Sequence, residues 1–227
     1  MVSISYQPIT NKNVYGQAKT EKKSLTIHST GNAKSTAQNE RDNLCRYDNT
    51  RKASFHWVVD EKQAIQCLDE SFVAWHAGCK QGNNDSIGLE ICESGNREKT
   101  LDNAAWLAAN ILFKRGWALD KMVRHYDWTG KKCPQIMADD GWAVWWEFRR
   151  NVKNYLDQMK GFKPVEGNEV KRYDKLEKIP AGEMRDTVKM LMDNGVISGK
   201  MYGLDLSEDM VRMLVYNKRA GLYDKYK

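Results

Sequence analysis

The sequence predicts an α/β layer structure at residues 1–160, followed by a smaller helical unit at residues 171–227. Three observations lead to this prediction. Short runs rich in β-branched residues alternate with segments whose apolar residues recur at helical spacing, the pattern of strands and helices packed in layers. Glycine, proline and charged residues then mark a linker at residues 161–170. Two further amphipathic segments follow that linker.

Length and composition set the broad class of protein. The chain has 227 residues, 41% of them hydrophobic, which is enough for one full domain and a small second one. No apolar run approaches the ~20 residues that a membrane span requires, and the N-terminal residues lack the charged and apolar segments of a secretion signal. We therefore expect no membrane span, and synthesis in a cytoplasm.

Charge and cysteine content indicate which partners the protein could bind and the state of its thiols. The net charge of +6 attracts polyanions, either nucleic acid or an anionic cell wall. The alternative is that the excess lysines serve solubility alone. The five cysteines are odd in number and form no C-x-x-C pair, so most of them are expected to be reduced and buried.

The elements of the first domain follow from local patterns. Clusters of β-branched and aromatic residues predict extended segments at residues 24–30, 55–60, 64–68, 87–93 and 122–125. The second and third of these form a hairpin, and the fourth is a central strand. Helical spacing predicts covering helices at residues 36–47, 101–117 and 141–159. Ser35 or Thr36 is expected to cap the first helix, and Asp139 or Asp140 the last.

Beyond the linker, two helices form a small all-α unit. The first is predicted at residues 181–194 and ends where Gly195 supplies a left-handed C-cap. The second begins after Ser207, an N-cap followed by two acidic residues that the helix dipole favours. A helix pair of this size is small for independent stability. We expect it to pack on another copy, giving a homo-oligomer, or on the first domain.

The segment from Met122 to Pro134 carries side chains that suit a metal better than a core. It contains His125 and Cys133, and imidazole together with thiolate favours Zn²⁺. A third ligand must lie elsewhere, and His28 at the end of a predicted strand is the best candidate. Three protein ligands leave the fourth tetrahedral position for water.

Two charged side chains would complete a hydrolytic site. Glu90 is a carboxylate inside an apolar strand, where burial without a partner is costly. It has a reason to be there if it accepts a proton from a metal-bound water. Lys131, two residues before Cys133, is placed to stabilise an oxyanion, whereas Lys132 is expected to be solvated. The alternative is structural, with both histidines as ordinary hydrogen-bonded residues and Glu90 paired to a lysine.

Five short motifs follow one another between about residues 24 and 155. They are Ile27–Thr30, Phe55–Asp60, Trp75–Gly78, Asn84–Glu90 and Arg124–Pro134. In this order they resemble the zinc-dependent N-acetylmuramoyl-L-alanine amidases of type 2, a family that includes phage endolysins and is related to peptidoglycan recognition proteins. The resemblance implies the type 2 amidase fold, a mixed central β-sheet flanked by helices, in residues 1–160.

The resemblance also implies a site and a reaction. The ligands of Zn²⁺ are then His28, His125 and Cys133, and the catalytic residues are Glu90 and Lys131. The substrate is peptidoglycan, cleaved by zinc-activated water between N-acetylmuramic acid and L-alanine of the stem peptide. A phage endolysin of a Gram-positive host, acting on the wall after release, suits the missing signal peptide, with a bacterial autolysin as the alternative. The second hypothesis is a non-catalytic peptidoglycan-binding protein, although such relatives typically lack the cysteine ligand.

One position departs from the family pattern. Phe55 stands where some members carry a tyrosine whose hydroxyl assists the reaction. Without that hydroxyl, catalysis is expected to depend more on Glu90. His56 is interpreted as a packed sheet residue. His76 and Asn84 are expected to contact the substrate, with an ordinary polar loop residue as the alternative for His76.

The C-terminal unit has a resemblance of its own. Residues 179–219 resemble a single S-layer-homology-like repeat, a module that binds secondary cell-wall polymers, so residues 171–227 are expected to bind the wall. A helix-turn-helix DNA reader is the rival. Glu208 and Asp209 at the start of the second helix would repel phosphate, and we therefore expect no nucleic acid partner.

Overall fold

The computed structural model of the chain describes residues 2–161, 171–197 and 206–224. These residues belong to two compact units that divide after residue 163. The strands of the first unit are β1 (Ser3–Tyr6), β2 (Gly16–Lys19), β3 (Ser24–Ser29), β4 (Trp57–Val59), β5 (Gln63–Gln66), β6 (Phe72–Val73), β7 (Ser86–Ile91) and β8 (Met122–Arg124). Its α-helices are α1 (Ala37–Cys45), α2 (Lys80–Asp85), α3 (Arg97–Lys114), α4 (His125–Thr129) and α5 (Ala143–Met159). The predicted linker at residues 161–170 lies, except for Gly161, outside the described residues.

A six-stranded mixed sheet organises the first unit. Its strand order is β1-β5-β4-β7-β3-β8, which places β7 and β4 at the centre. Neighbouring strands run parallel except β4 and β5, which form the predicted antiparallel hairpin. Strands β3 and β7 are buried along nearly their whole length, as expected for parallel strands covered on both faces. The predicted mixed central sheet is therefore confirmed.

Alternation along β3 and β7 divides their side chains between two faces of the sheet. The apolar residues of both strands join the main hydrophobic core with α3 and α5, and they are Leu25, Ile27, Ile87, Leu89 and Ile91. Successive residues of a strand point to opposite faces. The polar residues Thr26, His28 and Glu90 therefore point away from this core, and the opposite face of the sheet is the one that can carry chemistry.

Helix α1 covers part of that second face. Its residues Ala37 and Leu44 share a smaller core with side chains of β4 and β5. As predicted, Thr36 is the N-cap, and its hydroxyl accepts a hydrogen bond from the Asn39 N–H. The Asp60 carboxylate at the end of β4 accepts from the Ala37 N–H at 2.9 Å. Acceptors at a helix N-terminus satisfy its free N–H groups, so α1 is held where the hairpin begins.

The predicted cap of the long helix α5 is wrong. Asp140, Gly141 and Trp142 have φ values of 51°, 63° and 69°, and Trp142 precedes the helix without a side-chain cap. Asp139 instead forms an ion pair with Lys132 at 2.8 Å. The short elements α2, β1, β2 and β6 were not predicted, because so few residues show no clear periodicity.

The second unit has its own small core. It contains α6 (Glu183–Asp193), α7 (Glu208–Arg219) and an antiparallel pair of two-residue strands, β9 (Arg172–Tyr173) and β10 (Leu206–Ser207). As predicted, Ser207 caps the second helix by accepting from the Met210 N–H, and Gly195 follows the first with φ of 68°. The strand pair was not predicted in this otherwise helical unit. In neither described unit is a helix long and apolar enough to cross a membrane.

The packing of α3 on the sheet generates a stability prediction. Leu107 is 1% exposed, and Leu107→Ala should lower the free energy of unfolding by about 2–5 kcal/mol, through lost burial and a cavity. Phe113 on the same helix is 43% exposed, and Phe113→Ala should cost less than half as much. Urea unfolding followed by tryptophan fluorescence measures both, because all eight tryptophans lie in the first unit. Equal losses in the two variants would contradict this packing.

Candidate active site

Two histidines and a cysteine converge at the edge where β3 and β8 end. The candidate ligand atoms of His28, His125 and Cys133 all lie within 4.8 Å of one another, and the Cys133 Sγ is 3.7 Å from the His28 Nδ1. The three residues are 2–5% exposed. Strands β3 and β8 are parallel neighbours, so their carboxyl ends bring His28 and His125 together.

The loop after α4 returns Cys133 to the two histidines. The helix ends at Gly130, whose φ of 74° lies in the left-handed region that favours glycine. The chain then turns back, and the Tyr126 N–H donates to the Cys133 carbonyl at 3.0 Å. The Trp128 indole N–H donates to the Thr26 hydroxyl on β3 at 2.9 Å. A short helix anchored on the neighbouring strand therefore lets these residues converge.

The donor set fits a metal ion. The His125 Nδ1 is buried and has no hydrogen-bond partner in the described part of the chain, which leaves its lone pair free. Burial, followed by the Lys131 charge, lowers the pKa of His125 to about 4. Burial also holds the pKa of His28 well below its ordinary value. Neutral imidazoles with a nearby thiol are the groups that a thiophilic divalent metal binds, with loss of the thiol proton.

Glu90 lies beside the three donors. It is the register partner of His28 across β3 and β7, so both side chains are on the same face of the sheet. Its Oε2 is shielded from solvent and has no hydrogen-bond partner among the described residues. Burial, then the like charge of Glu40, raises the pKa of Glu90 to about 8, and Lys131 opposes this rise. A carboxyl group with a pKa near neutrality can both accept and donate a proton.

These groups line one polar cavity of about 180 Å³. Lys131 is exposed at its rim, and its charge acts on Glu90, His28 and His125. Phe55 also lines the cavity and brings no hydroxyl to it. Lys132, by contrast, forms an exposed ion pair with Asp139.

The two predicted substrate contacts have different positions. His76 lines the cavity, with its Nδ1 2.9 Å from the His28 Nε2. Asn84 lies outside the cavity lining, and its carbonyl accepts hydrogen bonds from Thr20 and Lys22. The neighbouring Asn83 is the asparagine that reaches the site region, because its Oδ1 accepts from the His76 N–H at 2.9 Å.

His56 is a packed sheet residue, as predicted. Its Nε2 lies 3.0 Å from the Phe72 carbonyl, which can only accept a hydrogen bond. Its Nδ1 accepts from the Gly88 N–H at 2.8 Å. Both ring nitrogens are therefore used by the backbone, and burial lowers the pKa of His56 to about 3.

Sequence reasoning missed several polar residues of the cavity. They come from α1 and the loop after it, and they are Glu40, Asn43, Asn49 and Arg51. The first two are three residues apart in the helix, so they share one face. That spacing was a usable signal, but the loop residues carry no comparable pattern.

Comparison with known proteins identifies the family. The family model described as N-acetylmuramoyl-L-alanine amidase matches residues 18–136, just over half of the chain. The chain belongs to this amidase family. The amidase CwlA of Bacillus subtilis is 37% identical over 144 residues, which cover 60% of this chain and 51% of that protein. The amidase XlyB of the same species is 40% identical over 124 residues, covering 52% and 38%.

Solved structures of the family share the fold of this amidase-family chain. A mutant endolysin from Bacillus subtilis superposes with a TM-score of 0.61 at 31% identity, covering 67% of this chain and 99% of the endolysin. The chain spans about half, or less, of the length of the two curated relatives. The family and fold expected from the motifs are therefore confirmed.

The uncompensated carboxyl group of Glu90 generates a pH prediction. Its pKa is about 8 in the folded protein and about 4.5 by its ordinary value. Between these values the unfolded chain has lost a proton that the folded chain keeps, so stability falls as pH rises. Glu90→Gln should flatten this fall in the metal-free protein. Urea unfolding of the wild type and the variant at pH 4, 6 and 8 measures this difference. If the free energy of unfolding depends on pH in the same way in both proteins, Glu90 is not a buried carboxyl group with a raised pKa.

Proposed function

We propose that this protein is a zinc-dependent peptidoglycan hydrolase that cleaves the amide bond between N-acetylmuramic acid and L-alanine of the stem peptide. The observation that carries the proposal is the convergence of His28, His125 and Cys133 beside Glu90 in one cavity. Relatives named N-acetylmuramoyl-L-alanine amidase support the identity of the bond.

Zinc suits the donor set better than other common metals. Two imidazoles and a thiolate are preferred zinc ligands, and three protein ligands leave one position open for water. When bound, zinc supplies Lewis acidity and a water whose pKa falls to about 7. His28 and Cys133 are both buried, so little solvent competes for these two donors.

Glu90 is proposed to move the proton in this reaction. It accepts the proton of the attacking water and passes it to the amine of the departing L-alanine, as a group with a pKa near neutrality can. Phe55 lines the same cavity without a hydroxyl, so the tyrosine-assisted route of some family members is absent at this position. Proton transfer therefore depends more heavily on Glu90 here.

Lys131 is proposed to stabilise the oxyanion. Its exposed position at the cavity rim lets an ammonium group approach the scissile carbonyl as negative charge develops there. Removing a single donor of this type typically costs about 3–4 kcal/mol in the barrier. The lysine charge also favours the ionised form of Glu90, which helps it to accept a proton.

The second unit, residues 171–227, is proposed to bind a secondary cell-wall polymer. The resemblance to an S-layer-homology-like repeat supports wall binding, and so does the net charge of +6 of the whole chain. At the start of α7, Glu208 accepts hydrogen bonds from Tyr173 and Arg212, which places an acid where a DNA reader would meet phosphate. The small size of the unit supports association through it into a homo-oligomer.

We further propose that the protein acts on the wall after release from the cytoplasm, as a phage endolysin of a Gram-positive host does. The similarity to an endolysin from Bacillus subtilis supports this role. Amidases of Bacillus subtilis are also among the relatives, so a bacterial autolysin is the competing origin.

The assignment of Glu90 is tested by Glu90→Gln. The variant should bind one zinc per chain, as the wild type does, yet release new amino termini from purified walls at least about 100-fold more slowly, because proton transfer is lost. Cys133→Ser, as the matched ligand variant, should lose zinc as well as activity. Mass spectrometry of the digested walls identifies the bond.

Two outcomes would overturn this function. Full activity of Glu90→Gln would remove the carboxylate from the mechanism. A wild-type protein that binds zinc and muropeptide but releases no amino termini would be a recognition protein instead of an enzyme.

Wall binding by the second unit is tested with the full chain and a truncated chain that ends at residue 163. The full chain should pellet with walls, and the truncated chain should pellet several-fold less. Walls stripped of secondary polymer should abolish that difference. Equal pelleting of both chains, or retention of the full chain on DNA at physiological salt, would contradict the proposal.

A further inference from the structure

His76 contacts a proposed metal ligand without being one itself. We propose that His76 is a positioning residue that makes His28 bind the metal through Nδ1, by accepting a hydrogen bond from the His28 Nε2–H. This inference rests on the proposed metal site, and it differs from the substrate contact expected from the sequence. A polar network next to β3 and β7 fixes the positions of the hydrogen atoms on both rings.

The oxygens of Ser86 fix the hydrogen of the His76 ring on Nε2. Its Nε2 lies 3.3 Å from the Ser86 carbonyl, which can only accept. The Ser86 hydroxyl is also near this nitrogen, at 3.5 Å, but it donates its hydrogen to the Gly82 carbonyl at 2.6 Å. The same hydroxyl accepts from Thr26 at 2.7 Å. Both Ser86 oxygens therefore act as acceptors toward His76, and the His76 Nε2 carries the hydrogen.

The His76 ring in turn fixes the hydrogen of the His28 ring. The imidazole of His76 has its hydrogen on Nε2, where the Ser86 carbonyl accepts it, so its Nδ1 has the free lone pair of the ring. The His28 Nε2 lies 2.9 Å from that lone pair and must donate to it. The His28 Nδ1 then has the only free lone pair of its ring, and it lies 3.7 Å from the Cys133 Sγ.

The backbone around His76 is shaped to hold the ring in this place. A Cβ atom on Gly88 would lie 2.8 Å from the His76 Cγ, so only glycine in β7 lets the imidazole rest against the sheet. The Asn83 Oδ1 accepts from the N–H groups of both His76 and Ala77, at 2.9 and 2.8 Å. Gly88 therefore lets the ring pack against the sheet, and the Asn83 side chain holds the backbone of His76 and Ala77 in place.

The same segment also reaches the second histidine ligand. The His125 Nε2 lies against Gly78, where an added Cβ atom would be 3.4 Å away, and the His125 Nδ1 is buried without a hydrogen-bond partner among the described residues. Both histidines of the proposed metal site thus have a free Nδ1, and both lie next to the segment of residues 76–78. Hydrogen bonds to the far nitrogen of a histidine ligand commonly contribute roughly 10–100-fold in metal affinity.

The proposal is tested with the full chain by competition between protein and a chelator for zinc. His76→Phe keeps a ring but cannot accept a hydrogen bond, and it should weaken zinc binding roughly 10–100-fold. His76→Asn places its Oδ1 near the position of the histidine Nδ1, and it should restore affinity to within about threefold of wild type. Gly88→Ala, which displaces the ring, should weaken zinc binding like the phenylalanine variant.

Nuclear magnetic resonance of the wild type provides a readout that needs no variant. Long-range ¹H–¹⁵N spectra of the zinc-loaded chain should show the His28 Nε2 protonated and its Nδ1 bound to metal. A His28 that binds through Nε2, or a phenylalanine variant with wild-type zinc affinity, overturns the role of His76 and leaves the amidase assignment standing. A wild-type chain that binds no zinc overturns the metal site itself.

Discussion

The register between β3 and β7 is the constraint on which the rest of the site depends. It places His28, the proposed metal ligand, directly beside Glu90, the proposed proton carrier. The same register puts Leu25, Ile27 and Leu89 into the core on the opposite face. A slip of one residue would exchange the two faces, so the hydrophobic core that stabilises the fold also fixes the geometry of the site.

Burial acts in opposite directions on the groups of this site. It keeps His28 and His125 neutral, which suits metal binding, and it raises the pKa of Cys133 to about 11, which a metal must overcome by displacing the thiol proton. It also leaves the Glu90 Oε2 without a hydrogen-bond partner in the described part of the chain. The site is therefore costly for folding without metal and favourable with it, a balance typical of functional sites.

The sequence predicted the parts of this molecule that follow from local rules. The alternation in β7 marked a central strand, Thr36 marked the start of α1, and the residue types of His125 and Cys133 indicated a metal. Other features depend on the folded backbone. The left-handed run at residues 140–142 has no strong local signal, because neither Asp140 nor Trp142 favours positive φ as glycine does.

The function of His76 could not be predicted for a related reason. Its role depends on which of its nitrogens carries a hydrogen, and that is decided by the Ser86 oxygens after the strands have paired. Asn83 and Asn84 are adjacent and chemically identical, so only the orientation of α2 decides which side chain reaches the site. Composition and spacing carry no information on either point.

The hydrogen bond from Trp128 to Thr26 has a consequence for how strongly a metal would bind. Trp128 is in the helix that begins with His125, and Thr26 is two residues before His28 in β3. This bond joins the two elements that carry the proposed histidine ligands, and neither of its partners is itself a proposed ligand. An ion bound at the proposed site would therefore lose less of its binding energy to ordering the chain. In that sense the proposed metal site is braced by a tryptophan outside the ligand set.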